Sequence, residues 1–320
     1  MVGLTSGSFP PAEKDQFGVS AMNSKVGFVG LGRMGLSMAL NLRKTGHTVI
    51  GYDLRAEAVA RLRAAGGEGT EDIWSAIGGA DVVFTMLPNS AIVQQAVLDD
   101  IAPQLGADTI VVDMSTVDPV TTDALAAGLK RRGIKFSDAP VGRLAQHADS
   151  GECLFMVGAE PDVFETIRPM LAAMGTTIHH CGGAGTGIRM KIVNNYLAIA
   201  ACQLNAEALT LATRFGLDLE QTINVLNGTT ATNGHLKTNF PIKVLAGDIS
   251  PGFQIDLAHK DLGLALSAGA SMNVPLAMGS VARECLQLAR ASGHGGEDFS
   301  ALLDAWCRLA GLTPPRFKRD

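Results

Sequence analysis

The chain's 320 residues give room for two domains with cores of their own, and 47% apolar residues with 37 glycines suit an α/β protein with many tight turns. A net charge of -5 offers no electrostatic basis for binding nucleic acid or an anionic membrane. Five scattered cysteines (Cys153, Cys181, Cys202, Cys285, Cys307), odd in number and without C-x-x-C spacing, argue against a disulfide framework or a zinc site and fit a reducing cytoplasm.

Residues 1–24 are polar, carry Pro10-Pro11 and hold no apolar run long enough for a signal peptide or a span. They read as a disordered extension, with Met22 as an alternative start. From Lys25 an apolar strand then runs into Gly30-Leu31-Gly32-Arg33-Met34-Gly35, and a helix-compatible stretch follows from Leu36 to Lys44. Such a G-x-G-x-x-G turn exposes backbone N–H groups at a helix N-terminus, where partial positive charge holds a pyrophosphate. Gly30 permits the tight turn, Gly32 lets phosphates approach, and Gly35 lets the helix pack on the strand. A second strand, Thr48–Tyr52, ends in Asp53, 18 residues after Gly35, where a carboxylate accepts hydrogen bonds from ribose hydroxyls. The expected ligand is a dinucleotide. The Asp53 charge repels a 2′-phosphate and favours NAD, while Arg55, read as a solvated charge, leaves NADP possible if it turns inward.

Short apolar strands continue at Asp81–Met86, Thr109–Asp113, Lys135–Asp138, Leu154–Gly158 and Thr177–His180, alternating with helical patterns at 56–65, 90–98, 119–131 and 162–174. This alternation predicts a Rossmann-type, doubly wound parallel sheet over residues 25–186, with ligands at the carboxyl ends of the strands. Met86-Leu87-Pro88 and Asp113-Met114-Ser115-Thr116 lie at such ends. Beyond Gly182 the strand signals stop. One long helix is expected over 187–215, followed by helical patterns at 219–226, 240–245, 255–270, 277–292 and 300–310. The second domain, 187–312, is therefore expected to be all-α and joined to the first by the long helix, with 313–320 as a tail.

Gly187, Lys191 and Asn195 are four apart and share one helix face. A lysine there can donate a proton to a carbonyl oxygen as hydride reaches its carbon, and Asn195 can orient that oxygen; the alternative is an ordinary exposed helical charge. Arg143 follows the Lys135–Asp138 strand in Asp138-Ala139-Pro140-Val141-Gly142-Arg143. On spacing alone it is either a grip for an acidic substrate group or a surface arginine. The seven histidines show no ligand spacing, so no metal is expected.

These motifs, with Asp256-Leu257-Ala258-His259-Lys260-Asp261-Leu262, resemble the β-hydroxyacid dehydrogenase family, which includes 3-hydroxyisobutyrate dehydrogenase and tartronate semialdehyde reductase, over residues 25 to about 312. The resemblance implies Lys191 as general acid/base, with Asn195 beside it. It also implies Ser115 at cofactor and substrate, and Lys260 near nicotinamide and substrate. It extends cofactor contact to Leu31, Arg33, Met34, Leu54, Met86, Leu87, Pro88, Thr116 and Phe253, and implies a homodimer or homotetramer. The apolar stretch from Ile192 to Leu211 independently offers more surface than a small domain covers.

Most members continue Pro-Val with Ser-Gly-Gly, where this chain has Gly142-Arg143-Leu144. In this the chain resembles the branch of 3-sulfolactaldehyde reductases, which use NADH, and it shares the Asn194-Asn195-Tyr196 run and the Gly228–His235 loop with that branch. A permanently ionised sulfonate suits a fixed guanidinium, aided by Asn194; His235 either lines the same pocket or merely packs. His147 and Asp149, in the segment after Arg143, read as solvated. The expected activity is reduction of a short acidic aldehyde. The alternatives are oxidation of a β-hydroxy carboxylate such as 3-hydroxyisobutyrate or serine, or a nucleotide-binding regulator without catalysis. The intact Lys191/Asn195 stripe stands against the last. A long phosphosugar dehydrogenase is disfavoured by the short helical region.

Overall fold

The computed structural model describes residues 23–318. The expected extension therefore lies, but for its last two residues, outside the described residues, as do the last two positions of the tail.

Strand β1 (Lys25–Val29) leads through the glycine turn into α1 (Gly35–Lys44), then β2 (Thr48–Tyr52), α2 (Ala56–Ala64), β3 (Glu68–Thr70) and α3 (Ile73–Ile77). The chain crosses to β4 (Val82–Thr85), α4 (Ser90–Gln95, prolonged by a widened turn to Ile101), β5 (Ile110–Asp113), α5 (Pro119–Lys130) and β6 (Lys135–Asp138). Next come β7 (Val141–Gly142), α6 (Ala145–Asp149), β8 (Cys153–Gly158), α7 (Pro161–Met174) and β9 (Gly175–Gly182). Strands β1 to β6 pair in parallel in the order β3-β2-β1-β4-β5-β6. The doubly wound, parallel-dominated sheet is as expected, and only beyond β6 does the pairing change direction. Strand β8 runs antiparallel to β6 and to β7, which prolongs the line of β6, and β9 closes the far edge parallel to β8. A connection of only ten residues between β7 and β8 is too short for a parallel crossover and returns the chain as an antiparallel neighbour.

Side chains set the helix starts. Asp72, Asn89 and Asp118 accept hydrogen bonds from the first-turn N–H groups of α3, α4 and α5, and Pro119 and Pro161 stand where no N–H is needed. One apolar layer, including Phe28, Met38, Leu42, Phe84, Phe155 and Leu171, fills the space between the sheet and α1 and α7. A second, with Val97, Val111, Leu125 and Phe136, lies on the opposite face and reaches Ile188 and Ile192.

Those last two residues belong to α8 (Thr186–Arg214), whose 29 residues span about 44 Å at 1.5 Å per residue. Around it pack α9 (Leu219–Asn227), α10 (Phe240–Ile242), α11 (Ile255–Ser271), α12 (Ala277–Ala289) and α13 (Leu302–Leu309), with a core that includes Ile199, Leu209, Phe240, Leu262, Leu286 and Leu303. The helix expected over 240–245 is broken at Lys243, and that expected over 277–292 ends at Ala289 before a turn with Gly293 at φ 90°. No helix among the described residues is long and apolar enough to cross a membrane.

Candidate active site

The glycine turn is built as its sequence requires. Gly30 sits at φ 102°, a region that favours glycine, and a Cβ at Gly35 would collide with the Gly30 carbonyl oxygen. Above Gly32 the space is open, with nothing within 4 Å of a would-be Cβ, which is the clearance a pyrophosphate needs. Asp53, at the end of β2, accepts the Leu31 N–H at 2.8 Å and is paired with Arg55 at 3.1 Å. Burial alone would raise this carboxyl, but the hydrogen bonds from Arg55 and Leu31 hold it ionised, below its ordinary range. Leu54 beside it is exposed. These residues fit an adenine dinucleotide.

The loops after β4 and β5 are tied together by a buried carboxylate. Asp113 accepts the Thr85 hydroxyl at 2.7 Å and the Ser115 hydroxyl at 2.6 Å, and Ser115 Oγ in turn accepts the Leu87 N–H at 2.9 Å. Burial raises the Asp113 carboxyl against the pull of those bonds. The only hydrogen of the Ser115 hydroxyl is thus spent on the loop, leaving an acceptor lone pair for any ligand.

Across the cleft, α8 is seated by Asp138 from the end of β6. Its carboxylate accepts the Gly185 and Ile188 N–H groups, each at 2.6 Å, capping the helix from the other domain. Gly187 packs its bare backbone against Asp138 and the Met156 carbonyl, so the Gly187/Lys191/Asn195 face looks toward the nucleotide domain. One turn on, Lys191 is 8% exposed and Asn195 6%. Asn195 Nδ2 donates to Asp261 on α11 at 2.8 Å, and Asn194 donates to Asn195 Oδ1 at 2.9 Å. Lys260, next to Asp261, lies 3.0 Å from the Asp261 carboxylate and donates to the Thr116 carbonyl at 2.9 Å, with the Pro88 carbonyl at 3.5 Å. One lysine from the helical half thereby latches onto both strand-end loops of the sheet. The Lys191 ammonium donates no hydrogen bond among the described residues. Burial holds it below the usual lysine range, while Asp261 pulls it upward and Lys260 pushes it further down. A lysine that is nearly enclosed, unpartnered and easily deprotonated is a proton donor and acceptor in waiting.

A family model described as the NAD binding domain of 6-phosphogluconate dehydrogenase matches residues 25–183, and one described as NAD-binding of NADP-dependent 3-hydroxyisobutyrate dehydrogenase matches residues 185–306. The 3-sulfolactaldehyde reductase of Escherichia coli is 40% identical over 290 residues, covering 90% of this chain and 97% of that one. This chain belongs to the 3-hydroxyisobutyrate dehydrogenase-like β-hydroxyacid dehydrogenase family. It is an NAD(P)-dependent oxidoreductase acting on CH–OH groups. The 2-(hydroxymethyl)glutarate dehydrogenase of Eubacterium barkeri is 38% identical over 90% of the chain and 97% of its own length. Mycobacterium tuberculosis 3-hydroxyisobutyrate dehydrogenase, solved with L-serine, superimposes with TM-score 0.83 at 33% identity, covering 89% of this chain and 99% of that one.

Other expected site residues of this β-hydroxyacid dehydrogenase lie apart from the lysine cluster. Gly142 is buried in the β7–β8 pairing. Arg143 stands at φ 71°, a left-handed conformation that costs a side-chain-bearing residue about 1 kcal/mol and that glycine adopts freely. Its Nη1 donates to the Glu152 carbonyl at 2.6 Å and the Thr176 hydroxyl at 3.0 Å, and Nη2 donates to Thr177 at 3.0 Å. None of these partners belongs to the lysine cluster. His235 packs: Nε2 pairs with the Ala198 carbonyl at 2.8 Å, its ring lies against Phe240 and Phe299, and burial lowers its affinity for a proton. Phe253 packs edge-on against Phe299, and Met34 joins the core beneath the glycine turn. Arg33 is paired bidentately with Asp149, which also accepts the Ser37 hydroxyl at 2.5 Å, so Asp149 is exposed to solvent and partnered at the same time. His147 Nδ1 accepts the Leu144 N–H at 3.2 Å.

Sequence reasoning assigned no role to Asp113, Asp138 or Asp261. For Asp261 the signal was present: it falls on the buried stripe of α11 with Ile255, Ala258, Leu262 and Ala265. A carboxylate on an apolar stripe needs a partner.

Proposed function

We propose that the protein is an NADH-dependent reductase of a short acidic aldehyde, 3-sulfolactaldehyde, forming 2,3-dihydroxypropane-1-sulfonate, with Lys191 as general acid/base. The observation that carries the catalytic part is the enclosed, unpartnered Lys191 ammonium between Asn195, Asp261 and Lys260. When bound, the reduced nicotinamide supplies hydride to the carbonyl carbon. Lys191 gives its proton to the carbonyl oxygen as charge develops there, and takes it back in the oxidative direction. Asn195, fixed by Asp261 and Asn194, orients that oxygen. Ser115 and the Lys260 latch keep the strand-end loops in register with α8, and the buried cluster excludes water.

The sulfonate assignment rests on the 40% identity to a 3-sulfolactaldehyde reductase and on Arg143 in place of glycine. Arg143 has Nε–H and one Nη2–H unspent among the described residues, a side-on donor pair suited to an oxyanion. Gly142 and Asn194 are assigned to the same end of the substrate. The engagement of Arg143 by the β8–β9 edge favours one second reading, a carboxylate β-hydroxy acid or its semialdehyde that does not use the guanidinium. A panel of 3-sulfolactaldehyde and tartronate, methylmalonate and succinate semialdehydes, run with NADH, separates them. Arg143→Gly fits the left-handed backbone and gives up the three hydrogen bonds of the guanidinium, so its fold is checked by circular dichroism before the assay. The first reading expects KM for the sulfonated aldehyde to rise about tenfold or more, as for loss of a charge-assisted bond of roughly 1.5–3 kcal/mol. Unchanged KM, or a clear preference of the wild type for unsulfonated aldehydes, removes the sulfonate assignment.

The protein is further assigned to the cytoplasm and to a homo-oligomer. Met190, Val193, Leu197, Leu204 and Leu211 stand exposed along α8, and a further copy of the chain is the assigned cover, readable as a doubled or quadrupled mass in solution.

A further inference from the structure

The carboxylate that marks the adenosine ribose is already full. An ionised carboxylate offers about four acceptor positions on its two oxygens. In Asp53, Oδ1 accepts the Arg55 backbone N–H at 2.9 Å and Arg55 Nε at 3.1 Å, while Oδ2 accepts the Leu31 N–H at 2.8 Å and Arg55 Nη2 at 3.3 Å. The two backbone bonds fix the carboxylate between the glycine turn and the end of β2. The two side-chain bonds come from a group 60% exposed, lying over a carboxylate only 10% exposed. A ribose diol can therefore donate to Asp53 only where the Arg55 side chain lets go. Letting go is undemanding on the arginine side, because the guanidinium is well exposed and returns to water as it leaves.

We propose that Arg55 selects between dinucleotides: it competes with the ribose hydroxyls of NADH for Asp53 and, once displaced, anchors the 2′-phosphate of NADPH, so that the enzyme takes both. The proposal rests on the dinucleotide site described above and is independent of the aldehyde. A 2′-phosphate replaces a hydroxyl donor by about 1.5 to 2 negative charges, by analogy with other phosphate monoesters, and Asp53 alone repels it. The freed guanidinium, two residues away on the same turn, meets that charge with a planar fork of donors. Removing Arg55 then has opposite consequences for the two cofactors. NADH gains an uncontested carboxylate; NADPH loses the cation that is paired with Asp53 and faces that carboxylate unshielded.

The test is direct titration of the purified protein with NADH and with NADPH, followed by nucleotide fluorescence in the absence of aldehyde. The wild type is expected to bind NADPH within about tenfold of NADH. Arg55→Gln is expected to tighten NADH about two- to fivefold, the release of a weak exposed pair, and to weaken NADPH at least about tenfold, the loss of a charge-assisted phosphate contact. Asp53→Asn, a second variant, is expected to weaken NADH and tighten NADPH. If Arg55→Gln moves both dissociation constants in the same direction by similar factors, Arg55 is only a brace and the proposal is overturned. A wild type that binds NADH but no NADPH at millimolar concentration overturns it as well. Binding of neither nucleotide overturns it together with the dinucleotide site.

Discussion

Asp138 joins the two halves of the molecule through a buried charge, and its titration measures the strength of that junction. Burial pushes its carboxyl from the ordinary 3.8 to about 6, against the opposing pull of the Gly185 and Ile188 N–H groups, and the negative charge of Asp113 adds to the rise. The folded state thus holds this proton more tightly than the unfolded chain does. Between those two values the native protein is protonated and the unfolded one is not, so the contribution of Asp138 to stability declines as pH rises. A difference of about two pH units at about 1.4 kcal/mol each amounts to roughly 3 kcal/mol, lost between about pH 4 and pH 6 and constant above. Asp138→Asn removes the titration but keeps the shape, at the cost of one of the two N–H bonds, since a carboxamide offers a single oxygen. The assay is urea denaturation of both proteins at half-unit steps from pH 4 to pH 8. The stability of the wild type minus that of Asp138→Asn is expected to fall by about 3 kcal/mol across pH 4–6 and then level off. A difference that stays flat, or climbs with pH, refutes the assignment of a strained, buried carboxylate to the foot of α8.

Lys191→Ala is expected to lower the turnover of aldehyde by about 2–4 powers of ten, with NADH affinity by fluorescence unchanged; near-normal turnover removes Lys191 from the chemistry. Because the Lys191 ammonium sits below the usual lysine range and reduction needs it protonated, aldehyde reduction is expected to fall off on the alkaline side earlier than an ordinary lysine allows. Asp261→Asn removes the charge that favours the ammonium, so this alkaline limb should move to lower pH in kcat/KM profiles; an unmoved limb separates Asp261 from Lys191.

The features that sequence exposes are those set by local rules. The glycine turn was legible because each glycine answers a nearby steric demand, and Asp53 because it ends a strand at a fixed distance from that turn. Lys191 and Asn195 were legible through the four-residue period of a helix. What escaped depends on partners distant in the chain. Strand β3, Glu-Gly-Thr, has no apolar run and exists only because β2 offers it an edge. Helix α6, five residues within Leu144–Ser150, is held by groups far away in sequence: Asn41 donates to its Ala148 carbonyl, and Arg33 and Ser37 hold Asp149. Strand direction is not written in strand composition, so the reversal of β8 followed only from the short connection before it. Asp138 reads as the polar end of a strand until α8, 47 residues on, delivers two N–H groups to it. Arg143 was legible as a cation, but its left-handed backbone and its Thr176 and Thr177 partners were not.

The charges in the cleft also fit the chemistry assigned to them. Among the described residues, the cluster places two ammonium groups, Lys191 and Lys260, against one carboxylate, Asp261. Asp261 accepts the Asn195 amide at 2.8 Å and lies 3.0 Å from Lys260, so a single carboxylate charge stands against two ammonium groups. With Lys191 protonated, the cluster carries an excess positive charge, on a buried Lys191 and a partly exposed Lys260, beside the point where the proposed hydride transfer would make an alkoxide. Such a charge costs stability in the free enzyme and regains it as the carbonyl oxygen turns negative, which is the condition for preferring the transition state over the ground state. The Lys260 latch on Thr116 and Pro88 supports the same end. It holds the helical half on the sheet, so the stored charge faces the nucleotide side of the cleft. A hydrophobic residue at Lys191, which donates no hydrogen bond among the described residues, would leave no group there unpaired, whereas the same change at Lys260 would strip the Thr116 carbonyl and the buried Asp261 of their partner.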